Sequence, residues 1–246
     1  MRWMPLCLSR SRRVRNSNAQ DEMNRLTEFL KSQGQSGIHG SIANRLRRKR
    51  FDIIRGMIES IDKDAPILDI GGTDRYWEVM GLTNSSHQII LFNTEVVAPR
   101  FLNMVSVLGD GKDLSRYRDG EFQFVHSNST LQYLRTVEDQ FAMAREIRRV
   151  GRSYYVQAPN FWFPLETHFL FPAFKWLPEE IQIWLVMNYS LGWYDRQECA
   201  ERARATVRGI RLTTRREFAK MFDDAHIATE RFLGWPKSFV ARKDLR

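Results

Sequence analysis

The sequence predicts an α/β fold: a doubly wound sheet, mostly parallel with an antiparallel C-terminal strand, preceded by helices and interrupted by a helical, aromatic-rich insertion. Three observations carry this. Short apolar runs ending in polar or glycine-rich turns alternate with helical patterns from residue 67 to residue 158, as strands joined by crossover helices do. The first run, Ile67 to Ile70, empties into Gly71-Gly72, in the way a buried parallel strand meets a tight turn before a helix. The chain closes on two apolar runs joined through Gly234-Trp235-Pro236, which fit an antiparallel pair at the sheet's edge.

A chain of 246 residues accommodates one such domain with an insertion, and two complete domains are not expected. The expected organisation is a basic, disordered tail over 1–20, helices over 21–62, and the α/β domain over 63–246 with its insertion at 159–207. Thirty-eight Lys and Arg against 29 Asp and Glu leave +9 at pH 7, an excess that favours phosphate, nucleic acid or an anionic membrane surface without choosing among them. Only Cys7 and Cys199 are present, so neither a disulfide framework nor a Cys/His metal cluster is expected, and a reducing, cytoplasmic compartment is the simplest. No apolar run reaches the roughly 20 residues that span a bilayer as a helix. The first residues lack the apolar length and small-residue cleavage site of a secretory signal.

Met1 to Gln20 interleaves arginine with serine and holds no acid, the composition of a solvated basic tail or a transit peptide. Met23, Leu26, Phe29 and Leu30 form a helical stripe, which glycines at 34, 37 and 40 interrupt. Ser41 can cap a second helix, whose apolar positions Ile42, Leu46, Ile53, Ile54, Met57, Ile58 and Ile61 recur near the helical period. Its opposite face carries Arg45, Arg47, Arg48, Lys49, Arg50 and Arg55. No aromatics lie between the charges from Arg45 to Arg50, so they read as a solvated face and nucleic acid is not the expected partner.

Ala65-Pro66 ends that helix and opens the first strand. Gly71 and Gly72 lack Cβ and allow a ligand close to the main chain, while Asp69 is placed at the strand's carboxyl end, facing the crevice. Thr73 and Asp74 stand where a dinucleotide fingerprint carries more glycine, which counts against NAD and leaves room for a smaller adenosyl ligand. His87 to Phe92 reads as the second strand, closed by Asn93-Thr94-Glu95; Asn93 and Glu95 can each hold a ribose hydroxyl pair or cap a helix. Phe101 to Val107 reads as the third. In the turn after it, Asp110 can accept from an adenine amine or serve as an ordinary turn aspartate.

Glu121 to His126 makes the fourth strand, followed by the polar loop Ser127-Asn128-Ser129-Thr130. Thr136 and Asp139 begin a capped helix bearing Phe141, Ala144 and Ile147, Gly151 can end it, and Ser153 to Ala158 is the fifth strand. The aromatic stretch from Pro159 to Tyr194 is expected either to cover the site or to fill a satellite core, and any patch left exposed would give peripheral membrane contact. A charged helix over Glu198 to Val207 follows. Thr214 and Glu217 then form a capping box, and Ile227 to Phe232 and Ser238 to Ala241 form the closing strands.

In order and content these residues resemble the class I S-adenosylmethionine-dependent methyltransferases, over about Pro66 to Ala158 plus the closing hairpin. The resemblance implies a Rossmann-like sheet and S-adenosylmethionine as the cofactor. It places Asp69, Gly71, Gly72 and Thr73 at the donor turn, Asn93 or Glu95 at the ribose, Asp110 and Gly111 near adenine, and Ser127 and Asn128 under the methionine part. Thr73 replaces a glycine usual in that family, and Gln132-Tyr133 stands where many relatives have Glu-His.

Methyl transfer from a sulfonium is an in-line displacement, so alignment and exclusion of water matter more than dedicated catalytic groups. For a hydroxyl acceptor a base helps, and Glu166 or His168 is the candidate, each of which can equally be a surface or cap residue. The remaining histidines are scattered and form no metal motif. The expected acceptor is a small molecule, sugar- or lipid-like. Two other readings fit the same residues: a non-catalytic binding protein of this fold, and an RNA methyltransferase. The RNA reading is prompted by the charge, without an Asn-Pro-Pro-aromatic motif or an RNA-binding module to support it. Neither a Gly-x-Ser-x-Gly elbow nor a P-loop is present.

Overall fold

A computed structural model describes residues 42–96 and 98–245. The expected tail over 1–20, the helix over 21–31 and the Ser41 cap lie outside the described residues. Two compact units are formed by what is described: one by 163–210, the other by the described residues of 42–162 together with 211–245.

The larger unit is a seven-stranded sheet. Its elements in chain order are α1 (Ile42–Glu59), β1 (Ile67–Ile70), α2 (Asp74–Met80), β2 (Ile89–Asn93), β3 (Met104–Leu108), β4 (Phe122–Asn128), α3 (Val137–Val150), β5 (Gly151–Pro159), α6 (Arg215–Met221), β8 (His226–Phe232) and β9 (Trp235–Lys243). The spatial order is β3-β2-β1-β4-β5-β9-β8. Pairings from β3 through β5 are parallel, and β9 lies antiparallel to both β5 and β8. β1 therefore sits inside the sheet between β2 and β4, where the strand order reverses and open α/β sheets form their ligand crevice.

Side chains alternate across the strands and give the sheet two apolar faces. Leu68, Ile70, Phe92, Val125 and Val156 pack under Met143, Ala144 and Ile147 of α3 and Phe218 and Phe222 at α6. Ile67, Ile89, Leu91, Phe124 and Tyr155 pack under Phe51, Ile54 and Met57 of α1 and Trp77 and Met80 of α2. The two helix starts expected at Thr136 and Thr214 are present, and a glycine that the sequence reading did not single out ends α2. The Thr136 hydroxyl accepts from the Asp139 N–H at the start of α3, a reciprocal Thr214–Glu217 capping box starts α6, and Gly81, at φ 76°, closes α2. β4 is longer than its apolar run. Ser127 and Asn128 are its last two residues rather than loop, because their backbones continue the ladder to Val156 and Gln157 of β5.

The smaller unit was expected to be helical and is so only in part. It opens with a two-stranded ladder of β6 (Leu165–Glu166) and β7 (Phe171–Pro172), and only then come α4 (Glu179–Asn188) and α5 (Ala200–Arg208). Pro164, Pro172 and Pro178 supply no backbone N–H and keep a helix from starting earlier. Phe169 is fully buried, its ring 4.1 Å from that of Phe174 and 5.0 Å from that of Tyr194, so part of the aromatic stretch fills this unit's own core. Among the described residues no helix is long and apolar enough to cross a membrane.

Candidate functional site

A cleft of about 320 Å³ opens at the carboxyl ends of β1 and β2, lined by Gly72, Thr73, Asp74, Leu91, Asn93, Thr94, Glu95, Pro99 and Ser106. Four of the sequence-derived cofactor residues, Gly72, Thr73, Asn93 and Glu95, thus meet in one place. The Asn93 Nδ2 donates to the Gly72 carbonyl at 3.0 Å, which ties the end of β2 to the turn after β1. Glu95 is exposed. A carboxylate and an amide beside a bare backbone can accept from a vicinal diol and approach its ring closely.

Asp69 does not face this cleft. Its carboxylate is fully buried; Oδ2 accepts from the Trp77 Nε1–H at 2.6 Å, and Oδ1 is 2.7 Å from His126 Nδ1. The reason lies in its neighbours. Asp69 is level with Leu91 and His126 across the sheet, on the face covered by α1 and α2, and there the Trp77 indole and the His126 imidazole engage both carboxylate oxygens. The missing Cβ atoms of the two glycines serve the protein's own side chains. A methyl at Gly72 would overlap the Asp69 carboxylate, and one at Gly71 would overlap the side chain of Thr130, whose hydroxyl donates to the Ile70 carbonyl at 3.1 Å. Gly71 is in addition left-handed, at φ 76°.

The remaining expected residues are placed separately. Ser127 is fully buried and donates to the Ile70 carbonyl at 3.0 Å, so it fastens β4 to β1. Asn128 Oδ1 accepts from Arg50 of α1 at 3.3 Å. Asp110 is exposed, accepts the Lys112 backbone N–H at 3.0 Å and lies 3.5 Å from its ammonium, the arrangement of a turn aspartate. Gly111 passes over β1 closely enough that a Cβ would come within 2.8 Å of Ile70.

In the smaller unit Glu166 and His168 form an ordered pair. Glu166 is buried; its Oε1 lies 2.6 Å from His168 Nδ1, while Oε2 accepts the backbone N–H groups of His168 and Phe169 at 2.8 and 2.6 Å. Both carboxylate oxygens are therefore committed to holding the loop and the imidazole. Among the described residues no group of three or more His, Cys, Asp or Glu side chains is arranged to hold a metal ion.

Sequence reasoning missed Trp77, Thr130, His126 and Arg50. His126 carried a signal: a histidine closing the apolar strand Phe122-Gln123-Phe124-Val125-His126 needs a partner once that strand is buried. By sequence Arg50 belongs to the basic, solvated face of the second helix. Instead its guanidinium makes a bidentate pair with Glu230 of β8, Nε to Oε1 at 2.6 Å and Nη2 to Oε2, with Ser238 alongside.

Residues 66–153 match the methyltransferase domain family. Among curated proteins none matches the chain. Of solved structures, it is similar to geranyl diphosphate C-methyltransferase from Streptomyces coelicolor A3(2), at 11% identity and a TM-score of 0.51 over 94% of this chain and 95% of that one. That enzyme was crystallised with Mg2+, geranyl-S-thiolodiphosphate and S-adenosyl-L-homocysteine. The chain is also similar to a "possible exported protein" from Bordetella parapertussis, at 11% identity and a TM-score of 0.50 over 89% and 79% of the two chains. At these identities the likeness is one of fold.

Proposed function

We propose, from the match of residues 66–153 to the methyltransferase domain family, that this chain is a class I methyltransferase and transfers a methyl group from S-adenosylmethionine to a small acceptor. The observation that carries this is the convergence of Gly72, Thr73, Asn93 and Glu95 on one cleft at the carboxyl ends of β1 and β2. These residues fit an adenosyl group. Glu95 accepts from the ribose hydroxyls, and Asn93, fixed to the Gly72 carbonyl, sets the spacing between turn and strand end. Asp110 and Gly111 serve the adenine side, and Ser127 and Asn128 the methionine side, where Ser127 acts by fastening β4 to β1.

The bound donor supplies an electrophilic methyl on a sulfonium, displaced in line by the acceptor's lone pair. The protein's part is to hold donor and acceptor in register and keep water out. Glu166 orients the His168 ring through the Oε1 contact at 2.6 Å, and one of this pair is the candidate base where the acceptor atom carries a proton. A sugar- or lipid-like acceptor agrees with the aromatic content of the insertion.

Calorimetry with S-adenosylhomocysteine tests the donor site. The unmodified chain is expected to bind at micromolar concentrations, and Glu95→Ala to weaken binding ~10–100-fold, the worth of hydrogen bonds to a charged acceptor. No binding at millimolar ligand would overturn the proposal. A second reading, a non-catalytic binding protein of this fold, is favoured by one observation: Asp69 and Thr130 fill the space that the two glycines leave. The same titration separates the two, followed by donor turnover in extracts supplied with labelled S-adenosylmethionine.

A further inference from the structure

We infer that Asp69 acts on the donor site from behind, as a positioning residue locked by His126 and Trp77, and makes no contact with the donor itself. The inference rests on the methyltransferase reading and names three residues that set its donor turn. Two short contacts engage the two carboxylate oxygens, His126 Nδ1 at 2.7 Å and Trp77 Nε1 at 2.6 Å, and the carboxylate, the imidazole and the indole are all buried. Each partner belongs to a different element: His126 to β4, Trp77 to α2. The carboxylate thereby pins the helix that leaves the turn to the strand beside it, and Gly72 is the residue whose missing Cβ makes room for it.

The imidazole is held on several sides. Its ring centroid lies 4.9 Å from Tyr76, 5.2 Å from Trp77 and 6.0 Å from Tyr155, whose ring is nearly parallel to it. Its Nε2 is buried without a hydrogen-bond partner, so the contact with Asp69 is its polar anchor. With Nδ1–H donating to the carboxylate, Nε2 is left as a bare acceptor against aromatic faces. This ring is therefore committed to Asp69, and Asp69 to it. A carboxylate so enclosed can influence the cleft only through the geometry of Gly72, Thr73 and the start of α2.

The sign of one double substitution decides the matter. His126→Phe leaves a buried carboxylate oxygen unpaired and is expected to lower the melting temperature and weaken S-adenosylhomocysteine binding ~10–100-fold. His126→Asn retains an N–H near the Nδ1 position and is expected to restore binding to within about threefold of the unmodified chain, a rescue that loss of packing alone would not give. Adding Asp69→Asn to His126→Phe removes the stranded charge, so it is expected to recover binding and melting temperature toward the unmodified values. If Asp69 touches the donor, the double variant binds more weakly than His126→Phe alone, and the positioning role is overturned. Should His126→Phe fail to fold, the indole N–H resonance assigned through Trp77→Phe gives a ligand-free readout. It is expected downfield and slow to exchange in the unmodified chain and shifted upfield in Asp69→Asn; an unshifted resonance overturns the lock. An unmodified chain that binds no S-adenosylhomocysteine overturns the methyltransferase reading and this inference together, whereas binding with the wrong sign in the double variant overturns this inference alone.

Discussion

Replacing Gly72 with alanine adds a single methyl, yet it should be among the most damaging small changes in the sheet unit. The added Cβ would overlap the Asp69 carboxylate, which is buried and already accepts from Trp77 and lies in contact with His126. The carboxylate must turn away and lose at least one charge-assisted hydrogen bond, at ~1.5–3 kcal/mol, while the turn takes up overpacking strain of ~1–3 kcal/mol. The sum is about 2.5–6 kcal/mol, or ~5–24 °C in melting temperature for a chain of this size. Gly56 is the control. It lies within α1, and a Cβ there would meet nothing within 4 Å, so Gly56→Ala should stabilise by ~0.5–1 kcal/mol through helix propensity. Urea or thermal unfolding followed by circular dichroism measures both. A Gly72→Ala protein within about 0.5 kcal/mol of the unmodified chain would refute the argument, because the carboxylate would then have room that the packing denies it.

Two further outcomes follow from buried charges. Burial alone would raise the Glu230 carboxyl, but the hydrogen bond and charge of Arg50 outweigh it and hold the group below the usual carboxylate range. The pair's contribution is therefore fully present above about pH 4.5 and lost as pH falls through the depressed value. Arg50→Met should cost ~3–5 kcal/mol by stranding Glu230, and Arg50→Met with Glu230→Met should recover most of it; denaturant titrations at pH 3 to 7 check both the loss and its pH dependence. In the insertion, burial pushes the Lys175 ammonium down to about 8, while its Nζ donates to the Val207 and Ile210 carbonyls at 2.8 and 2.9 Å. The unfolded chain then binds the extra proton between about pH 8 and the ordinary lysine value of 10.5, so this group's contribution to stability rises with pH across that window. Lys175→Met should flatten that rise, as melting temperatures at pH 7.5, 9 and 10.5 would register.

The five parallel strands were legible because each is announced locally, by an apolar run closed at a polar or glycine turn. The caps at Thr136 and Thr214 were legible because a capping hydroxyl and its partner lie three residues apart. The insertion was less so: its aromatics suggested helix throughout, and the opening ladder of Leu165–Glu166 with Phe171–Pro172 carried no strand period long enough to read. That Asn93, Glu95, Gly72 and Thr73 line one cleft was legible from their places at strand ends, since those ends converge in any sheet of this order.

Asp69 marks the boundary between the two kinds of information. Its position at the end of a strand was fixed by its neighbours in sequence, but which face it points to, and what waits there, depended on partners 8 and 57 residues away. Arg50 makes the same point with Glu230, 180 residues distant. Periodicity, turns and caps are local because the backbone's hydrogen bonds and allowed angles are local, so the chain alone determined the strands, their order of appearance and the glycine turn. The pairing of buried charges is decided only when the sheet assembles, because a desolvated carboxylate takes whichever donors the packed strands and helices bring within reach.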